Sequence, residues 1–221
     1  ITYMLSTGCY VTTTITVNSI PGPIIGVPGT IGISVCVGSS LTLSNVVPGG
    51  VWSSESPAIA TIGSSSGVIT GVSVGVTTIT YMLSTGCYVT APVTVNPNPA
   101  VITGPTQVCV GSAINLSSSG GGTWSSSNTA LGSIGSTTGI LTGVATGNPI
   151  ITYLLPTGCL ATVTATVNPT PVAITGTPNV CVGLTTTLTD ATSGGTWTSS
   201  NTGLATVGSS TGVVTGVAVG V

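Results

Sequence analysis

The stretch GGVWSSESPAIATIGSSSGVITGV, residues 49–72, decides the fold. Its apolar residues fall in short runs at 51–55, 60–62 and 68–72, separated by Gly, Ser and Pro. Apolar alternation with a period of two between turn residues marks half-buried strands, whereas a helix would need a period near 3.6. Trp52 sits on the first run, where two facing sheets need a bulky aromatic plug. The same pattern returns as GGTWSSSNTALGSIGSTTGILTGV at 121–144 and GGTWTSSNTGLATVGSSTGVVTGV at 194–217. Trp52, Trp124 and Trp197 therefore stand 72 and 73 residues apart.

Further repeats extend outward from this stretch. VCVG occurs at 35–38, 108–111 and 180–183, and TGC at 7–9, 85–87 and 157–159. ITYMLSTGCYVT, residues 1–12, returns letter for letter at 79–90 and as ITYLLPTGCLAT at 151–162. The step from Cys9 to Cys87 is 78, because the connection 19–33 carries about six extra residues, including SIPGPIIGVPG. A period of roughly 72 is too long for a solenoid coil and fits a small domain. Within residues 30–96 the pattern predicts strands at 33–37, 40–46, 51–55, 60–62, 68–72, 77–83 and 87–95. Seven strands rich in Val, Ile and Thr match an immunoglobulin-like sandwich. The expected fold is all-β: tandem sandwiches of about seven strands each, arranged as a linear rod. Trp52, Trp124 and Trp197 are expected in the cores, with carbohydrate stacking as the rival role for these rings.

The run W-S-S-S-N, the segment G-S-[ST]-[ST]-G-[IV]-[IVL]-T-G-V and the I-T-Y strand resemble the bacterial immunoglobulin-like domain of the invasin and intimin type. VCVGS and TGC…VTVNP are similar to copies found in tandem in very large secreted surface proteins of Bacteroidetes-like bacteria. The resemblance spans all three units and implies spacer, stalk or adhesin service. The near-absence of charge departs from that pattern and gives no support to a calcium-binding or receptor-binding role.

Aligned on the repeat, residues 30–96 and 101–168 are complete domains, 1–18 supplies the last two strands of one, and 173–221 supplies the first five. Val221 corresponds to Val76 and Ile1 to Ile79, so two residues are missing where the fragments would meet. Either the chain is a window on a longer covalent array, as the two-residue gap suggests, or separate copies exchange strands, 1–18 of one completing 173–221 of the next. Ile1, Tyr3, Leu5 and Val221 would lie at that junction, with Ile1, Tyr3 and Leu5 facing Trp197 and Val214 of the neighbour. No initiator Met or signal-like stretch opens the chain, which points to a processed product or an excerpt.

Composition narrows the functional classes. The 221 residues include no Lys, Arg, His or Phe and two acids, Glu55 and Asp190, at non-equivalent repeat positions. Acid–base catalysis has almost no groups to use, and the many hydroxyls have no imidazole or amine to activate them. An enzyme, a small-molecule substrate and a cofactor are therefore not expected. Nucleic acid is excluded as a partner, since nothing can neutralise phosphates. Mean hydropathy is +0.70, yet Thr, Ser and Gly interrupt every apolar stretch before membrane-spanning length. A formal charge of −2 permits close lateral packing.

Six cysteines at fixed repeat positions, without His, argue against zinc and for disulfides in an extracellular or cell-surface setting. Pairing within domains would join Cys36 to Cys87, Cys109 to Cys159 and Cys181 to Cys9 of the next unit. The rival joins one domain to the next, as in Cys36–Cys159, because the first-strand Cys and the seventh-strand Cys belong at opposite ends of a sandwich. The leading functional expectation is the repeat shaft of an extracellular filament or sheath, its partners further copies of itself head to tail. The alternative is an adhesin stalk or a module that grips a glycan or another surface.

Overall fold

Alternating β-branched residues broken by Gly and Ser yield strands and turns throughout the computed structural model, which describes residues 1–26 and 32–221. Thr30, the first residue of the 30–96 unit, lies with the rest of 27–31 in the 19–33 connection outside the described residues. β1 (Thr2–Met4) and β2 (Tyr10–Thr12) form an antiparallel hairpin with Tyr3 opposite Val11. The first complete unit follows as β3 (Ile33–Cys36), β4 (Ser40–Thr42), β5 (Val51–Ser54), β6 (Ala60–Ile62), β7 (Val68–Gly71), β8 (Gly75–Met82) and β9 (Tyr88–Asn96). They make two sheets, in the orders β3-β9-β8-β5 and β4-β7-β6. Pairing is antiparallel except at β3, which runs parallel to β9 with Cys36 opposite Asn96. Val35, Leu43, Trp52, Ala60, Ile69, Ile79, Tyr81, Val93 and Val95 fill the space between the sheets. This is an immunoglobulin-like sandwich.

The second unit repeats the plan with β10 (Gln107–Cys109), β11 (Ala113–Asn115), β12 (Thr123–Ser126), β13 (Gly132–Ile134), β14 (Ile140–Gly143), β15 (Ile150–Leu154), β16 (Leu160–Thr164) and β17 (Thr166–Asn168). Its last strand is split at Ala165, whose N–H leaves the ladder and donates to the Pro149 carbonyl at 3.0 Å. β10 again runs parallel to the final strand, with Cys109 opposite Asn168.

Two expectations need correction. The run 40–46 ends as a strand at Thr42, because Asn45 turns the chain by accepting the Val47 N–H on Oδ1 at 3.0 Å. Ser44 instead bridges to Ile25, as Ser117 does to Thr103, so the connection before each unit adds a short edge to the smaller sheet. The 173–221 segment also forms fewer than five of the expected strands. It holds β18 (Thr175–Gly176), β19 (Thr185–Thr189), β20 (Ala205–Val207) and β21 (Val213–Gly216) in one sheet ordered β18-β19-β21-β20. The runs at Cys181 and Trp197 form no strand, because their ladder partners in complete units are the sixth and seventh strands. Val182 makes a single bridge to Gly216.

Two glycines of the repeat motif follow from this geometry. A Cβ on Gly71 would lie 2.6 Å from the Cys36 carbonyl oxygen and 2.9 Å from Val95, where the first strand crosses between the sheets. Gly67, at φ +67°, closes the β6–β7 turn in the left-handed region, and a Cβ there would strike the Leu43 carbonyl beside the Trp52 indole.

Candidate functional site at the unit junctions

In the complete units a tyrosine from the sixth strand covers each core tryptophan. Trp52 pairs in register with Tyr81, ring centroids 4.5 Å apart, and Trp124 with Tyr153 at 4.7 Å. The Tyr81 hydroxyl accepts the Gly50 N–H at 2.8 Å and donates to the Val47 carbonyl at 2.7 Å. The Tyr153 hydroxyl accepts the Gly122 N–H at 2.7 Å. The paired glycines ahead of each Trp are thus a seat for the tyrosine. The sequence carried this signal as GG-x-W with I-T-Y, but its hydrogen-bonding meaning becomes visible only once the strands are paired. Trp52 and Trp124 are buried, which leaves no open indole face for a sugar.

Trp197 is placed differently. It is half-buried and lines an open cleft of about 640 Å³ together with Ile174, Asp190, Thr192, Gly195 and Ser210. Leu188, Ala205 and Val214 are half-buried, while their counterparts Leu43, Ala60 and Ile69 are sealed in the first core. The chain 173–221 therefore presents the inside of a sandwich.

The segment 1–18 presents the opposite surface. Ile1, Tyr3, Ile15 and Val17 are 76, 69, 66 and 91% exposed, whereas their counterparts Ile79, Tyr81, Val93 and Val95 are 0, 4, 0 and 1% exposed. Leu5 and Val221 are exposed as well. No strand pairing joins β1 or β2 to the sheet of β18–β21. Within one chain the junction residues are not brought together.

The cysteines depart from the intradomain expectation. Cys36 is bonded to Cys159, 123 residues away, with Cα atoms 5.7 Å apart. The parallel pairing of β3 with β9 is the cause. It carries Cys36 to the Asn96 end of β9, while Cys87 precedes the other end of this nine-residue strand. At about 3.3 Å per residue those ends are roughly 30 Å apart, far beyond the ~7 Å that a disulfide spans. Cys36–Cys87 and Cys109–Cys159 pairs are therefore absent. Cys159 is buried and Cys36 packs against the second core, so the bridge staples the first unit to the second. Cys9, Cys109 and Cys181 are exposed thiols and Cys87 is half-buried. Glu55 and Asp190 lie in different units, and Asp190 Oδ1 accepts the Thr192 N–H at 2.6 Å.

No family model matches the chain, and no curated protein matches it. Among solved structures it is similar to the C-terminal 282-residue fragment of intimin, crystallised in complex with the intimin-binding domain of the translocated intimin receptor. The two are 19% identical over 75% of this chain and 69% of that one, with a TM-score of 0.41. Domains 4 and 5 of the S-layer protein SbsC are 17% identical over 68% of this chain and 99% of theirs, at a TM-score of 0.35. Mouse cadherin-23 EC22–24 is 15% identical over 87% of each chain, at 0.29. The immunoglobulin-like assignment rests on the strand order and register of the chain itself.

Proposed function

We propose that the chain is the repeating shaft of an extracellular filament or sheath, a rod of immunoglobulin-like units joined head to tail through further copies of itself. The observation that carries this reading is the complementary exposure of 1–18 and 173–221. Residues 1–18 of one repeat close the open face of 173–221 in the repeat before it, as the next link of one long chain or as a separate copy by strand complementation. The contact propagates because it does not close on itself. Tyr3 then takes the place against Trp197 that Tyr81 takes against Trp52, its hydroxyl accepting the Gly195 N–H. Ile1 and Leu5 extend the same face, and Val221 meets Ile1 across the gap. The disulfide supports an oxidising, extracellular setting, and a composition with no Lys, Arg or His and only two acids supports a non-catalytic role. Negative-stain microscopy and small-angle scattering of the purified chain test the proposal. Filaments with a rise of roughly 100–150 Å per chain are expected from three small sandwiches in line. Compact monomers at high concentration would overturn it.

A further inference from the structure

We infer that the four cysteines not bonded within the chain form bridges between successive copies, Cys181 of one copy to Cys87 of the next and Cys109 of one to Cys9 of the next. The inference rests on the head-to-tail reading and adds a covalent chemistry to it. In the bridge that is present, the first-strand Cys of one unit meets the TGC Cys of the following unit. Cys36 lies opposite Asn96, and the Cys159 sulfur sits 4.0 Å from the Asn96 carbonyl oxygen. The same arrangement is half-built at the preceding junction. Asn18 is the repeat counterpart of Asn96, and the Cys87 sulfur already lies 3.8 Å from the Asn18 carbonyl oxygen. In both complete units the stretch corresponding to 16–18 pairs in parallel with the first strand, which sets its Cys opposite that Asn. Cys181 of an arriving copy would therefore land beside Cys87. At the other end Cys109 stands opposite Asn168 with its thiol exposed, as Cys36 would be without Cys159. The TGC Cys of the unit that follows is Cys9 of the next copy.

Each bridge needs an external oxidant, a disulfide such as oxidised glutathione or that of a thiol–disulfide oxidoreductase. One cysteine thiolate attacks it to give a mixed disulfide and release one thiol. The second cysteine displaces the other thiol, so two protein thiols become one S–S bond and the oxidant gains two electrons and two protons.

The test assembles an equal mixture of ¹⁵N-labelled and unlabelled chains in oxidised glutathione, with pepsin digestion at acid pH and mass spectrometry before and after reduction. Peptides linking Cys109 to Cys9 and Cys181 to Cys87 are expected, half of them isotopically mixed, besides unmixed Cys36–Cys159. Non-reducing gels should show multiples of the chain that collapse on reduction, and Cys109→Ser should abolish the first link alone. Filaments in which Cys109 and Cys181 alkylate fully, or which link Cys9 to Cys87, would overturn the bridges and leave head-to-tail assembly standing. Monomers with four free thiols would overturn both.

Discussion

Replacing Cys36 and Cys159 together by alanine should destabilise the second unit strongly, and register sets the size of the effect. The bridged residues are 123 apart in sequence, yet β3 pins Cys36 beside Asn96 as long as the first unit is folded. When the second unit unfolds alone, the loop that the bridge closes is thus the 63 residues from Asn96 to Cys159. Chain entropy for a loop of that length corresponds to about 4.3 kcal/mol at 25 °C. With a guanidinium slope of about 2 kcal/mol per molar for so small a unit, the midpoint should fall by about 2 M. Tryptophan fluorescence follows the transition, since Trp124 leaves a buried site. Reductant should shift the wild type toward the double variant. A midpoint change below about 0.5 M would show that the two units do not constrain each other, and the reasoning would fail.

Tyr153→Phe leaves the Gly122 N–H without its 2.7 Å acceptor and should cost about 1–2 kcal/mol, read as a lowered midpoint for the second unit. Gly143→Ala sets a methyl 2.5 Å from the Cys109 carbonyl oxygen and 2.9 Å from Val167, and a loss of about 2–3 kcal/mol is expected; an unchanged melting curve would contradict the packing. Tyr3→Ala alters a side chain that is 69% exposed in the single chain, so folding should be unaffected. Association, measured by sedimentation, should weaken roughly 10- to 150-fold, as loss of about 1.5–3 kcal/mol of aromatic burial implies. Equal association of Tyr3→Ala and wild type would count against strand complementation.

The seven strands of the first complete unit were legible because each alternating run, such as 68–72, is fenced by Gly or Ser. Trp52 and Trp124 were legible as core for the same reason, since each shares the parity of an inward face, whereas Trp197 is half-buried. What local pattern could not convey was pairing across the sheet. That Cys36 and Cys87 belong at opposite ends was legible, but no residue of VCVG records whether the first strand runs beside β9 or beside β4. The edge pairings at Ile25 and Thr103 were hidden by their brevity, one bridge each, too short to show a period. Strand loss at Trp197 reflects absent partners, since the residues at 196–199 match those of β12 almost letter for letter. Local propensity there is overruled by the lack of a neighbouring ladder.

Pulling on the chain brings out another aspect of the parallel β3–β9 pair and the bridge at its end. Tension entering through β3 meets Cys36 after four residues and passes through sulfur directly into the second unit at Cys159. The intervening stretch, 123 residues by separation, lies off the path of the force. Roughly 400 Å of extended chain is thereby stored where stretching cannot reach it. Even if both cores melted under tension, the molecule would lengthen little. Chemical reduction, rather than force, is the event that would release the stored length.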